Sequence, residues 1–282
     1  MEHQSNNPLS SYFRNPAIYL KLPSRGRWWP SNSLTLPTNG EIAVKPMSTR
    51  DEILLKTPDA LMNGQGVVDV IQSCCPDIKN AWDMPSVDVD SVLISIRIAS
   101  FGNKMAFDST CPHCQENNNH ELALENILSA INCPDYNDPV QFLGLKIKLK
   151  PQRYFDVNRT NILQFEEAKI LNTLQNNDIA PEDKAAAITD SVTKLVSLGV
   201  DLTASSTEYI ELPDGTRVSD KEQLQEFYNN CERELTSTLQ DRFNELNNQG
   251  RLKPYTLLCG SCQTEYLVEV EFDYASFFGK GF

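Results

Sequence analysis

Two short stretches carry residue types whose spacing could do chemistry. In "STCPHCQE", residues 109–116, Cys111 and Cys114 stand three positions apart, and "LLCGSCQTEY", residues 257–266, repeats that spacing with Cys259 and Cys262. A tight turn with Cys at i and i+3 puts two sulfurs on one side of the backbone, which is half of a tetrahedral thiolate site for zinc. Two such turns supply a whole site, in the manner of a zinc ribbon. Four sulfur ligands would leave no open coordination position, so such an ion would be structural and not catalytic. A redox dithiol is the chemical rival, but it calls for a single Cys-x-x-Cys at a helix N-terminus after a strand. Both pairs here lie between strand-like runs. Free thiols on hairpins that persist without metal are the remaining alternative.

The other cysteines read as buried small hydrophobes: Cys74 and Cys75 end an apolar helix, Cys133 precedes a proline, and Cys231 falls within a long helical pattern. His113, inside the first turn, could replace a thiol but is expected to face solvent. The three histidines, His3, His113 and His120, leave almost no base for serine or cysteine nucleophilic catalysis. "MNGQGVVD" has two glycines without the preceding strand and following Lys of a phosphate loop. Among 38 acids, chance carboxylate pairs are expected. The chain does not read as an enzyme.

The elements that must position the thiols follow from periodicity. "KMAFDSTCPHCQENNNHELALEN" runs into the first turn and out again by alternation, and "KPYTLLCGSCQTEYLVEVEFDY" does the same, leaving through Tyr266, Val268, Val270 and Phe272 on one face. Both predict β-hairpins with two cysteines at the tip. Ahead of them, "EIAVKP" predicts a strand, and Ser48 with Asp51 three residues later predicts a helix start. "TPDALMNGQGVVDVIQSCCPDI" predicts a short helix, a turn at Gly64 and Gly66, and a helix from Val67 to Cys74. "PSVDVDSVLISIRIASFGN" fits both periods, and Ser86 as N-cap with Gly102 past the end favours helix. Between the hairpins, "VQFLGLKIKLKP" alternates as one strand, and "TNILQFEEAKILNTLQ" and "APEDKAAAITDSVTKLVSLGV" are amphipathic helices. "EYIELPDGTRV" predicts a hairpin at Asp214-Gly215, and the stretch from the capping box Ser219…Glu222 to Gly250 predicts one long helix.

The predicted fold is therefore α+β. Residues 1–40 form an extended basic and aromatic arm, 41–150 plus 251–282 a core with a zinc-ribbon-like site, and 151–250 an inserted, mainly helical subdomain. The 282-residue chain can bury a sizeable core. No run nears the roughly 18 apolar residues of a membrane span, and "MEHQSNNPLSSYF" lacks the apolar centre of a signal peptide, so a cytoplasmic protein is expected. The net charge of −13 argues against general binding to nucleic-acid backbones. It is unevenly spread: residues 1–50 carry six Lys/Arg against two Asp/Glu, leaving 19 bases against 36 acids in the rest. The Pro-rich arm either packs its own Tyr19, Leu20, Trp28 and Trp29 on the body, or docks on another protein with Arg25 and Arg27 as charged contacts and Tyr19, Trp28 and Trp29 as anchors.

Three further segments, "YFRNPAIYLKLPSRGRWW", "GEIAVKPMSTRDEILLKTPDALMNGQGVVDVIQSCCPDI" and "DVDSVLISIRIASFGNKMAFDSTCPHC", together resemble the baseplate hub assembly proteins of T-even-type contractile-tailed bacteriophages. The likeness covers about residues 12–125 and resumes at the second Cys-x-x-Cys. Its specificity lies in the order of Leu-Pro-Ser-x-Gly, Pro-Met-x-x-x-Asp-Glu, Lys-Thr-Pro-Asp-Ala-Leu and Ile-Arg-x-Ala-Ser-x-Gly ahead of the thiols. The resemblance implies a non-enzymatic protein of tail morphogenesis that builds or completes the baseplate hub, working in the host cytoplasm or residing in the virion tail. Its partners would be other hub and tail proteins, met through the arm around Tyr19–Trp29. A zinc-ribbon regulator that binds nucleic acid is the alternative, and "SRGRWW" is its one positive feature.

Overall fold

A computed structural model describes residues 8–9, 13–55, 64–174, 181–250, 252 and 254–268. The short helix expected before Gly64, together with Val270 and Phe272, lies outside the described residues. Among them are eight α-helices and small antiparallel sheets, so the α+β expectation holds. No helix among the described residues is long and apolar enough to cross a membrane.

The first core is built around one helix. Strand β1 (Ile18–Leu20) pairs antiparallel with β2 (Ile42–Val44), and α1 (Thr49–Leu55) and α2 (Gln65–Cys74) follow. Ser48 and Asp51 form the expected reciprocal cap, with the Ser48 backbone N–H donating to the Asp51 carboxylate at 2.7 Å. Helix α3 (Ser86–Phe101) is buried on all sides between Val92 and Ile98, which is why its apolar residues fit two periods at once. Its caps decide the matter. Pro85 is the N-cap and Ser86 the first helical residue, one position earlier than expected, and Gly102 ends the helix at φ 89°. Helix α4 (Leu124–Ala130) packs on α3.

The second core departs from the expected elements in two places. "VQFLGLKIKLKP" is a hairpin and not one strand: β5 (Val140–Phe142) turns back into β6 (Leu145–Leu149) at Leu143 and Gly144, whose φ values are 46° and 81°. Two consecutive left-handed residues are the requirement of a two-residue hairpin turn, and alternation alone does not reveal it. The expected long helix is likewise two, α7 (Lys221–Asn230) and α8 (Arg233–Gly250), with Asp220 and not Ser219 as the N-cap. Cys231 thus lies at a helix end and not within a helix. The helices α5 (Tyr154–Leu174) and α6 (Pro181–Ser205) come before β7 (Thr207–Glu211) and β8 (Arg217–Val218). One sheet runs in the order β5-β6-β7-β8, so it straddles the expected boundary at residue 150. Ile147, Leu149, Ile210, Leu224, Leu239 and Leu246 are central to this core.

The hairpins β3 (Lys104–Thr110)/β4 (Asn117–Ala123) and β9 (Tyr255–Leu258)/β10 (Glu265–Val268) carry the cysteine turns at their tips. Their own buried cluster is Cys111, Cys259 and Tyr266.

The arm is tied down by two carboxylates. Arg14 donates to Asp51 at 2.7 Å, to the Pro46 carbonyl and to Ser73, clamping the arm across α1 and α2. Buried Asp88, on α3, accepts from the Ser24 backbone N–H at 2.8 Å, the Ser24 hydroxyl at 2.5 Å and the Trp29 indole N–H at 2.8 Å. Burial pushes the Asp88 carboxyl up to about 6 despite those three donors. A raised carboxyl favours the folded state most below its unfolded value near 4, and that contribution is lost as pH rises through about 6. Wild-type protein should therefore gain about 1 kcal/mol between pH 7 and pH 5 that an Asp88→Asn variant lacks, read by urea denaturation at the two pH values. Asp88→Ala, which strands the three donors, should cost about 2–3 kcal/mol at pH 7.

Candidate metal centre

Each cysteine turn has the same internal construction. The first cysteine's backbone N–H donates across the tip, Cys111 to the Glu116 carbonyl at 2.9 Å and Cys259 to the Thr264 carbonyl at 3.0 Å. Gln115 and Gln263 each send a backbone N–H back to the first cysteine's carbonyl, at 2.9 and 3.1 Å. Both glutamines are left-handed, at φ 62° and 58°, and each side-chain amide donates to a tip carbonyl, of Pro112 and Gly260. The reversal that points both sulfurs one way thus rests on a glutamine just after each second cysteine.

The two tips meet. All four sulfurs lie within 4.8 Å of one another, with Cys111 to Cys262 at 3.8 Å and Cys114 to Cys259 at 3.6 Å. Four sulfurs each about 2.3 Å from one ion in a tetrahedron stand about 3.8 Å apart, so the observed cage fits a tetrahedral thiolate-bound metal. Among the described residues, these four are the group of metal-ligating side chains close enough to share an ion. Cys111 and Cys259 are buried, and Cys114 and Cys262 face solvent. His113 is exposed, as expected, and outside the group.

Asn118, on β4, joins the two hairpins. Its amide Nδ2 donates to the Cys259 sulfur at 3.5 Å, and its Oδ1 accepts the Gly260 backbone N–H at 2.8 Å. N–H groups of Cys262 and Ser261, with this amide, hold the Cys259 thiol down at about 6. Cys114, although it receives an N–H from Glu116, is pushed up to about 12 by desolvation and by the surrounding sulfurs. Below the cage, the Tyr266 hydroxyl pairs with Ser109 at 2.7 Å and with His120 Nε2 at 3.0 Å. Asn118 and the two glutamines went unread in the sequence; the repeated Cys-x-x-Cys-Gln was the available signal for the glutamines.

The other cysteines take no part. Burial pushes the Cys74 thiol up to about 12 and raises that of Cys75 as well, as suits inert core residues. Cys231 donates to the Tyr228 carbonyl at 3.4 Å. The arm residues are not gathered into one patch. Tyr19 on β1 is 62% exposed, and Arg25 and Arg27 are exposed in a turn where Arg25, Gly26 and Trp28 are left-handed. Trp28 packs edge-on against Tyr136 at 5.3 Å with the Arg27 guanidinium 4.3 Å from its centroid, while Trp29 is spent on Asp88.

Cys259→Ser should lose bound metal and destabilise the fold, whereas Cys231→Ser should keep both, as read by elemental analysis and thermal melting. Asn118→Ala should weaken metal affinity about 10–100-fold in competition with a chromophoric chelator, because the amide positions one sulfur and relieves its charge.

A family model described as "T4 bacteriophage base plate protein" matches residues 29–279. Neither a curated protein nor a solved structure matches the chain.

Proposed function

Because the chain belongs to the family of T4 bacteriophage base plate proteins, we propose that it is a non-enzymatic structural and assembly protein that helps to build the hub of the baseplate through contacts with other tail proteins. The observation that carries this reading is the family match across most of the chain. It is supported by the ordered segments of residues 12–125 that resemble hub assembly proteins, and by a sulfur cage whose four ligands would leave a bound metal no open position for substrate. We assign that metal as zinc, since four thiolates at tetrahedral spacing suit a soft, redox-inert ion. Its part would be to lock the two distant hairpins together.

The arm is the proposed contact surface. Tyr19, Arg25 and Arg27 offer an exposed ring and two exposed guanidinium groups, and the anchored Trp28 and Trp29 hold the turn that presents them. Preorganising the turn lowers the entropy lost on binding. Association would take place in the host cytoplasm, and the protein would reside in the virion tail.

The test is genetic and visual. A phage with the gene for this chain disrupted should accumulate tails or baseplates with incomplete hubs in electron micrographs, and complementation by wild type should restore them. Complete hubs in the disrupted phage would overturn the reading. Complementation by a Tyr19→Ala, Arg25→Glu, Arg27→Glu variant should yield at least tenfold fewer complete particles, while the isolated variant keeps the wild-type melting temperature.

A further inference from the structure

Helix α6 leaves a row of apolar side chains uncovered. Ile188, Val192 and Val196 recur every four residues, so they lie on one face, and they are 45%, 53% and 63% exposed. Gly199 and Thr203 continue that face towards the end of the helix. There a cleft of about 560 Å³ opens, lined from α6 by Val196, Gly199 and Thr203 and from α8 by Leu239, Gln240 and Phe243. From Ile188 to Thr203 the face runs about 22 Å, far beyond the cleft itself.

The less exposed lining of the cleft includes polar groups beside the apolar Leu239. Lys150, at the end of β6, and Ser206, just before β7, are neighbours, the Lys150 backbone N–H donating to the Ser206 carbonyl at 2.8 Å. Ser206 is 0% exposed, and its hydroxyl makes no hydrogen bond among the described residues. Burial holds the Lys150 ammonium below its ordinary value, and Arg153 adds to the effect. Glu208 and Asp156 lie near enough to favour its charge and Lys221 near enough to oppose it, but none of the described residues forms an ion pair with Lys150. A buried hydroxyl left unmatched beside a desolvated cation costs free energy that an incoming anion would recover. Gly199 points the same way. An added Cβ there would meet nothing within 4 Å, and an interior helical glycine is usually disfavoured against Ala by about 1 kcal/mol, yet it keeps the helix surface low where another backbone could approach.

We propose that this cleft and the row leading into it receive an α-helix of another polypeptide, one with apolar residues at three- and four-residue spacing and one carboxylate side chain that pairs with Lys150 and accepts from the Ser206 hydroxyl. The length of the apolar row selects a helix over a small carboxylate, which would leave Ile188 and Val192 uncovered. Lys150, with the Arg153 and Lys221 charges close enough to be felt as well as those of Glu208 and Asp156, selects an acidic contact residue. The proposal does not depend on where in the tail the chain serves, and its failure would leave the baseplate role untouched.

The test uses full-length protein and a displayed library of helical peptides, selected on wild type and counter-selected on Gly199→Phe. The added ring occupies the cleft from a position with free space, so that variant should melt at or above the wild-type temperature. Enriched peptides should share apolar residues at three- and four-residue spacing and one Asp or Glu. Replacing that acid by its amide should weaken binding at least tenfold in fluorescence anisotropy, and Lys150→Gln should erase the difference between the acid and amide peptides. Should Lys150→Gln fail to fold, the acid-to-amide comparison on wild type still decides the electrostatic part. The proposal is overturned if no peptide survives counter-selection, if the survivors lack an acid, or if acid and amide peptides bind alike. It is equally overturned if sedimentation finds a wild-type dimer that Gly199→Phe converts to monomer, because the face would then belong to a second copy.

Discussion

Four sulfur atoms meet where the tips of two hairpins, far apart in the chain, share a small buried cluster. The hairpins β3/β4 and β9/β10 share Cys111, Cys259 and Tyr266 as their buried cluster, and a two-stranded hairpin is marginal alone in water. The cage at their tips is therefore more than decoration on a finished fold. As thiolates, sulfurs 3.6–3.8 Å apart repel one another strongly, so the fully ionised cage needs a cation at its centre. Without one, the protons distribute unevenly, and Cys114 holds its proton much more tightly than Cys259. An ion entering the cage would thus meet one sulfur already prepared, its charge supported by backbone N–H groups and by Asn118.

The arm is held by a different kind of interaction. Asp51 and Asp88 are both buried carboxylates that bind arm residues, but Arg14 accompanies the first and only neutral donors serve the second. Asp51 is correspondingly lowered, its burial outweighed by hydrogen bonds from Ser48 and Ser73 and by Arg14, whereas Asp88 is raised. The two anchors respond to acid in opposite directions, so the arm keeps one grip as the other weakens. Those grips orient the turn that carries Arg25 and Arg27.

Features governed by local chemistry were legible in the sequence. The cysteine hairpins, the cap at Ser48 and Asp51, and the termination of α3 at Gly102 each follow from a few neighbouring residues. Misread elements failed for identifiable reasons. Leu143 gives no hint of the left-handed conformation it adopts, so one alternating run hid a hairpin, and the break at Cys231 and Glu232 lacks the glycine or proline that usually marks one. Long-range partnerships were the least visible. Asp88 reads as one acid among 38 until the fold brings Ser24 and Trp29 to it, and Asn118 reads as one of three consecutive asparagines. The sheet that spans residues 140–218 likewise depends on pairing between distant strands, which no local pattern encodes.

The distance along the chain between the two halves of the cage has an effect on how the molecule is completed. Cys111 and Cys262 are 151 positions apart, and the second core is strung between them. A chain broken between Tyr154 and Cys259 has every buried residue of its first core and still presents only a half-filled cage. Closure of the cage is thus a report that translation has passed through the whole intervening unit, and a half-built copy, with two unpaired thiols at a hairpin tip, is chemically distinguishable from a finished one.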